Sequence, residues 1–205
     1  MTAVAARRSR LPTAERREQI VVAAMRCFAQ RGFEGTTTRM LARAAGVSEG
    51  LIFRHFPTKR SLYRAIIARR IAESPAGMMP AEEAARGDDR AVLSSIASSL
   101  VARVSRDPSF MRLMFFSALE GAPLSRMFYQ ARVRRVRSFL ASYLERRMAE
   151  GALRKVDPAA AAGAFMGMIS NYVQQKHLFR VPVARLAPDA LVRTWVDLFL
   201  RGLGR

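Results

Sequence analysis

Apolar residues recur at three- and four-residue intervals from Thr13 nearly to the end of the chain, and no segment carries the alternation of a half-buried strand. That period belongs to amphipathic helices, so the pattern predicts an all-α fold. The first helix reads from Thr13 to Arg31, with Thr13 as N-cap, Glu15 in its first turn and a stripe of Ile20, Ala23, Ala24, Cys27 and Phe28, and Gly32 ends it. Two short helices follow, Thr38 to Ala45 and Glu49 to His55, on either side of the turn Gly46-Val47-Ser48. A fourth starts near Lys59 behind Pro57 and runs to about Glu73.

Pro75, Pro80 and Gly87 then interrupt the pattern, and residues 74–87 read as a loop. Beyond them five longer helices are predicted: Asp89 to Arg106, Pro108 to Glu120, Leu124 to Glu150, Pro158 to Phe179 and Pro188 to Gly202. Breaks fall at Asp107-Pro108, Gly121 to Pro123, Gly151 and Val181-Pro182.

Charge adds a partner class to this picture. The 205 residues carry 35 Lys and Arg against 16 Asp and Glu, a formal +19. Residues 1–70 hold 15 of those bases and 4 of the acids, more than half of the excess in a third of the chain. Such a surface favours a polyanion, either nucleic acid or an anionic membrane. The N-terminal arginines precede no apolar stretch long enough for a signal peptide, and the uncharged run from Pro158 to Gln175 is too polar to span a bilayer. The expectation is a cytoplasmic, nucleoid-associated protein with no membrane partner. A single cysteine, Cys27, excludes an internal disulfide and a cysteine cluster for metal.

The short pair of helices carries the sharper signal. A helix-turn-helix needs a small residue where its helices cross, a residue tolerant of positive φ at the turn, and an apolar residue that locks the second helix. Ala42, Gly46 and Ile52 meet these needs at the right spacing, and Ser48 suits the N-cap of the second helix. In this motif the start of the second helix faces base edges, here Glu49, Gly50 and Leu51. Thr36 and Thr37, just before a helix, suit a phosphate, as does Lys59 at the start of another, and Arg39, Arg43, Arg54 and His55 add reach. Glu49 is open: a carboxylate is repelled by phosphates unless it accepts from a cytosine amino group.

The stretch from Gly32 to Leu62, GFEGTTTRMLARAAGVSEGLIFRHFPTKRSL, closely resembles the N-terminal domain of TetR-family (tetracycline-repressor-like) regulators. The matching residues are Gly32-Phe33, Thr36-Thr37, Leu41-Ala42, Ala45 to Ser48, Ile52, His55-Phe56 and Lys59. The resemblance implies a three-helix DNA-binding head, a linker helix and a larger helical body for ligand binding and dimerisation. On this chain that division runs as a disordered basic arm 1–12, head 13–57, linker helix 58–73, loop 74–87 and body 88–205. Carried over by position, Thr36, Thr37, His55 and Lys59 resemble the family's phosphate contacts, and Ser48, Glu49, Gly50 and Arg54 its groove-facing set. Phe53 departs from the pattern, standing where the family usually has a phosphate-bonding tyrosine, and is expected to pack or touch a base.

The body is read from pattern. In the last helix Arg193, Asp197 and Arg201 form a narrow polar stripe, leaving Leu191, Val192, Trp195, Leu198 and Phe199 over most of its circumference. The preceding helix sets Ala160, Ala164, Gly167 and Asn171 along one side, small enough for close helix approach. Ala160, Ala164, Gly167, Asn171, Leu191, Trp195, Leu198 and Phe199 are therefore the candidate dimer interface, by resemblance to a four-helix contact in the family, with a monomeric core as the alternative. Met111, Met114, Phe115, Phe128, Phe139, Tyr143, Phe165 and Met168 are candidate lining for a ligand, or plain core. Arg132, Arg134, Arg135 and Arg137 read as a solvated face from which one could turn inward to an anion.

The reading is a repressor that binds a palindromic operator in double-stranded DNA as a homodimer and is released by a small, largely apolar effector. A basic protein coating DNA without sequence preference is the alternative. A helical enzyme fits less well: the two histidines, His55 and His177, lie far apart in sequence, and no Gly-rich phosphate loop or metal-ligand spacing occurs. No catalytic residue, metal or cofactor is expected.

Overall fold

The structure, a computed structural model, describes residues 12–72, 78–121, 123–183 and 186–204. The arm, residues 1–11, lies outside them. Eleven α-helices run through the described residues, with no strand among them: α1 Thr13–Arg31, α2 Thr38–Ala45, α3 Glu49–His55, α4 Lys59–Ala72, α5 Ala81–Arg86, α6 Asp89–Arg106, α7 Pro108–Leu119, α8 Pro123–Phe128, α9 Arg134–Ala149, α10 Pro158–Gln174 and α11 Pro188–Leu203. A π-helical turn, Tyr129–Val133, joins α8 to α9, and a second, Gln175–Phe179, ends α10. Arg180, at φ 57°, then turns the chain away.

Those π-helical turns interrupt the helix predicted from Leu124 to Glu150 and end the one predicted to Phe179, and other details differ from the sequence pattern as well. The N-cap of α1 is Pro12, whose carbonyl accepts from Arg16 N–H at 2.9 Å; Thr13 already lies inside the helix and caps nothing. The buried stripe of α1 is Ile20, Val21, Ala24, Met25, Phe28 and Ala29, with Ala23 and Cys27 half-buried beside it. The stretch read as a loop contains α5, bounded by Pro80 and by Gly87 in the left-handed conformation, with Glu82 and Glu83 in its first turn.

Two apolar clusters organise the chain. One holds Ile20, Phe28, Leu41, Ile52, Leu62, Tyr63 and Ile66 from α1 to α4, and also Leu113 of α7. The other joins α6, α9, α10 and α11 around Leu93, Ile96, Leu140, Phe165 and Val196. Helix α7 thus belongs to both halves: Phe110 and Met114 pack beside Leu113 on the first cluster, and Met111 on the second. Polar clamps reinforce the seam, because Arg112 Nε donates to Ala29 O at the end of α1 (3.2 Å) and Glu120 accepts from Phe33 N–H. At the same junction burial pushes the Tyr63 phenol up to about 12, against the opposing pull of the Ser117 hydroxyl.

Candidate nucleic-acid interface and ligand cavity

Local chemistry sets the angle of α3. Gly46 adopts φ 63°, ψ 35°, and the N–H groups of Gly46 and Val47 close the end of α2 on Arg43 O and Ala42 O at 3.2 and 3.0 Å. Gln19 of α1 also donates to Ala45 O, at 3.0 Å. Ser48 then caps α3 by accepting from Leu51 N–H at 3.2 Å. Ala42 and Ile52 are both buried, so α3 is held by its inner residue. Its other side is open: Ser48, Gly50, Phe53 and Arg54 are exposed, and His55 is half-buried. Phe53 is 44% exposed and belongs to neither apolar cluster.

Of the phosphate candidates, Thr37 is exposed and is the N-cap of α2, accepting from Met40 N–H at 3.3 Å. Arg39 and Arg43 also face out. Thr36 is a correction. Its side chain is fully buried and its hydroxyl donates to Gly32 O at 2.7 Å, so it braces the turn after α1 and cannot reach a phosphate. Lys59 is half-buried and engaged within the head. Its ammonium lies 4.2 Å from the Phe33 ring centroid and donates to Phe33 O at 2.8 Å and Thr36 O at 3.1 Å, so it fastens α4 to that turn.

Glu49 gains a role that its position in the sequence left open. Its carboxylate accepts from the Thr38 hydroxyl at 2.8 Å and lies 4.0 Å from Arg39 Nε, which ties the start of α3 to the start of α2. A negative charge in the first turn of a helix is also favoured by the helix dipole.

In the other half, a cavity of about 340 Å³ opens between α6, α7, the α8–α9 helix and α10. Met111, Met114, Phe115 and Phe128 line it, as their positions suggested, together with Leu100, Val104, Phe110, Met166 and Ile169. The other four candidates do not. Phe165 is fully buried against Phe199, ring centroids 5.0 Å apart. Tyr143 is buried and its hydroxyl donates to Asp89 at 2.5 Å. Phe139 packs half-buried on the core, and Met168 lies in a shallow groove between α10 and α11. Helical spacing marks each of these as apolar but cannot distinguish facing a void from facing a neighbour.

The cavity wall also carries residues that the pattern did not single out: Arg70 of α4, Arg103 of α6 and Asp107 between α6 and α7. Arg132 is the inward member of its arginine cluster. Asp107 carried one usable signal, since Asp before Pro is a capping pair, and it does cap α7 through Ser109 N–H at 3.2 Å.

The interface candidates divide in the same way. Ala160, Ala164, Gly167, Asn171 and Leu198 are exposed, Leu198 at 60%. Leu191 and Trp195 are corrected: they are buried in their own half, Trp195 edge-on to Tyr172 with ring centroids 5.4 Å apart, because α11 turns that side toward α6 and α10. Phe199 is half-buried against Phe165 and shares the groove with Leu198. Among the described residues no helix is long and apolar enough to cross a membrane.

Residues 20–66 match the model of bacterial regulatory proteins of the tetR family, and residues 91–204 match that of the AefR-like transcriptional repressor C-terminal domain. The HTH-type transcriptional repressor AcnR of Corynebacterium diphtheriae is 46% identical over 61 residues, 28% of this chain and 32% of that protein. The HTH-type transcriptional regulator RutR of Escherichia coli K12 is 37% identical over 121 residues, 58% of this chain and 54% of that one. The chain thus spans about a third to a half of the length of these curated relatives. Among solved structures, the Thermus thermophilus regulator PfmR superposes with a TM-score of 0.70 at 24% identity, covering 92% of this chain and 97% of that one.

Proposed function

This chain belongs to the tetR family of bacterial regulatory proteins, and on that premise we propose that it is a transcriptional repressor that binds a palindromic operator as a homodimer. The observation that carries the proposal is the mounting of α3. Ile52 is locked inward against α2 while Gly50, Phe53 and Arg54 stand outward between exposed arginines. A helix so presented, with its N-terminal turn leading, is the element that enters a major groove. Ser48, Gly50, Phe53 and Arg54 are the proposed groove contacts. Thr37, Arg39 and His55 are the proposed phosphate contacts, and Glu49 positions the helix. The name of AcnR and the match of residues 91–204 to a repressor domain support repression.

Two heads are needed because one seven-residue helix reads only a few base pairs. A two-fold axis places a second copy about 34 to 36 Å away, one turn of duplex on. The exposed Ala160, Ala164, Gly167 and Asn171 side of α10, with Leu198 of α11, is the surface we assign to that axis. The cavity is assigned to a small effector. Helix α7 lines the cavity with Met111 and Phe115 and enters the head core with Leu113, so a ligand that favours another setting of α7 alters the head directly. A coupling of 1–3 kcal/mol, roughly 5- to 150-fold in affinity, is the usual size of such an effect.

Selection of binding sites from a random DNA pool tests the proposal. An inverted repeat should emerge, and its preference should survive added salt. If random competitor displaces the protein as readily as the selected site, the chain coats DNA without reading it.

A further inference from the structure

Helix α3 presents one large apolar side chain among polar ones. Phe53 is 44% exposed, and of the large apolar side chains that stay exposed among the described residues it is the one that lies in the head. Its outward neighbours are of other kinds. Arg54 is exposed, the Ser48 hydroxyl caps the helix, and the Glu49 carboxylate is engaged by the Thr38 hydroxyl at 2.8 Å. Gly50 lies three residues before Phe53 and so on the same side of the helix. It bears no side chain, and a Cβ there would meet nothing within 4 Å. The ring therefore stands beside bare backbone, which lets a base pair come close to both.

A phenyl ring has no hydrogen-bond donor or acceptor, and this limits what it can recognise in a major groove. Guanine, adenine and cytosine present N7, O6 and amino groups there. Covering one of these with hydrocarbon strips its water and returns no partner, so the contact costs a hydrogen bond. Thymine alone among the four bases adds an apolar group to its edge, the C5-methyl. A methyl laid against the ring takes apolar surface of both out of water, and that contact is favourable.

We propose that Phe53 is the thymine-reading residue of this chain, its ring covering the C5-methyl of one thymine in each half-site of the operator. This rests on the reading that α3 enters the major groove of a palindromic site. At the usual worth of one buried carbon, the methyl contributes about fourfold in affinity per half-site, and roughly fifteenfold for the two copies of Phe53 in a homodimer.

The test uses the full chain and an operator selected from random DNA, with its thymines replaced by deoxyuridine one symmetric pair at a time. This exchange removes the methyl and leaves the hydrogen-bonding edge as it was. Fluorescence anisotropy should show a pair whose replacement weakens binding roughly fifteenfold. That sensitivity should vanish in Phe53→Ser and in Phe53→Gln, both of which should keep the wild-type melting temperature because Phe53 packs in neither apolar cluster. Phe53→Leu, which keeps an apolar side chain, should still prefer the methylated site. A selected operator with no methyl-sensitive pair, or a sensitivity that the Ser and Gln variants leave in place, overturns the assignment. Random DNA that competes as well as the selected operator overturns instead the reading of α3 as a sequence-reading helix.

Discussion

The carboxylate of Glu120, at the end of α7, accepts the backbone N–H of Phe33 through both oxygens at 3.1 Å, and it does so over Gly32. Gly32 sits at φ 72°, ψ −179°, a region open essentially to glycine alone. A Cβ there would stand 2.3 Å from Glu120 Oε1 and 3.3 Å from Phe116 Cδ1. Gly32→Ala should lower stability by about 1–3 kcal/mol, the usual cost of such backbone strain. Exposed Glu120 can swing aside, so the backbone share should persist when Gly32→Ala is made in a Glu120→Ala background. Urea denaturation of the four proteins in the cycle measures this, and a cost that vanishes in that background would assign the whole effect to the clash.

Gly50 offers a clean probe of the DNA face. A Cβ at this position meets nothing within 4 Å, so Gly50→Glu leaves packing intact while adding bulk and negative charge to the outward side of α3. Operator binding should fall at least a hundredfold with the melting temperature unchanged. Arg54→Ala should instead flatten the preference for the selected site over random DNA by about 1–3 kcal/mol, the range for losing a base contact. Electrophoretic mobility shift with both sequences gives the two numbers.

Lys59→Ala should act first on stability. It removes two charge-assisted hydrogen bonds to main-chain carbonyls and a cation–π contact, together about 1–3 kcal/mol for a half-exposed side chain. Any loss of DNA affinity should be equal on all sequences. Unchanged melting with weakened DNA binding would return Lys59 to the phosphate contacts.

Gly167 plays for the dimer the part that Gly50 plays for DNA. It is exposed on α10, and a Cβ there also meets nothing within 4 Å. Gly167→Arg should leave each chain folded and shift the mass measured by light scattering from two chains to one at micromolar concentration. Operator affinity should then collapse, since the second head no longer binds as part of the same molecule.

Acid should destabilise the body partly through His177. Burial pushes its imidazole below the ordinary value, with Lys176 adding to the shift, and its Nε2 is buried without a hydrogen-bond partner. Above pH 7 the ring is neutral whether the chain is folded or not, and contributes nothing. As pH falls through about 6.5, the unfolded chain takes up a proton that the folded chain resists, so stability declines. Between pH 7.5 and 5.5 the wild type should lose more stability than His177→Gln, by chemical denaturation at each pH.

Nearly all of the helical framework was legible in the sequence, because helix ends are set by local chemistry. Gly46, Gly87 and Ser48 act within a few residues of themselves, and apolar spacing alone orients Ile52 toward Ala42. Helix α5 was missed, because Pro80 and Gly87, which bound its six residues, read as signals of a loop. The same local rules placed α3 and the exposed side of α10.

What only the tertiary structure decided is what each side chain faces. Thr36 and Lys59 have the chemistry of phosphate ligands, and both hydrogen-bond to carbonyls of the turn between α1 and α2, which buries Thr36 and half-buries Lys59. Phe165 and Phe115 are alike in sequence, and only packing assigns one to the core and the other to the cavity. Arg70, Arg103 and Arg132 lie on three elements far apart along the chain, and no periodicity brings them together. Secondary structure depends on neighbours three and four residues away; a cavity depends on what the folded chain fails to fill.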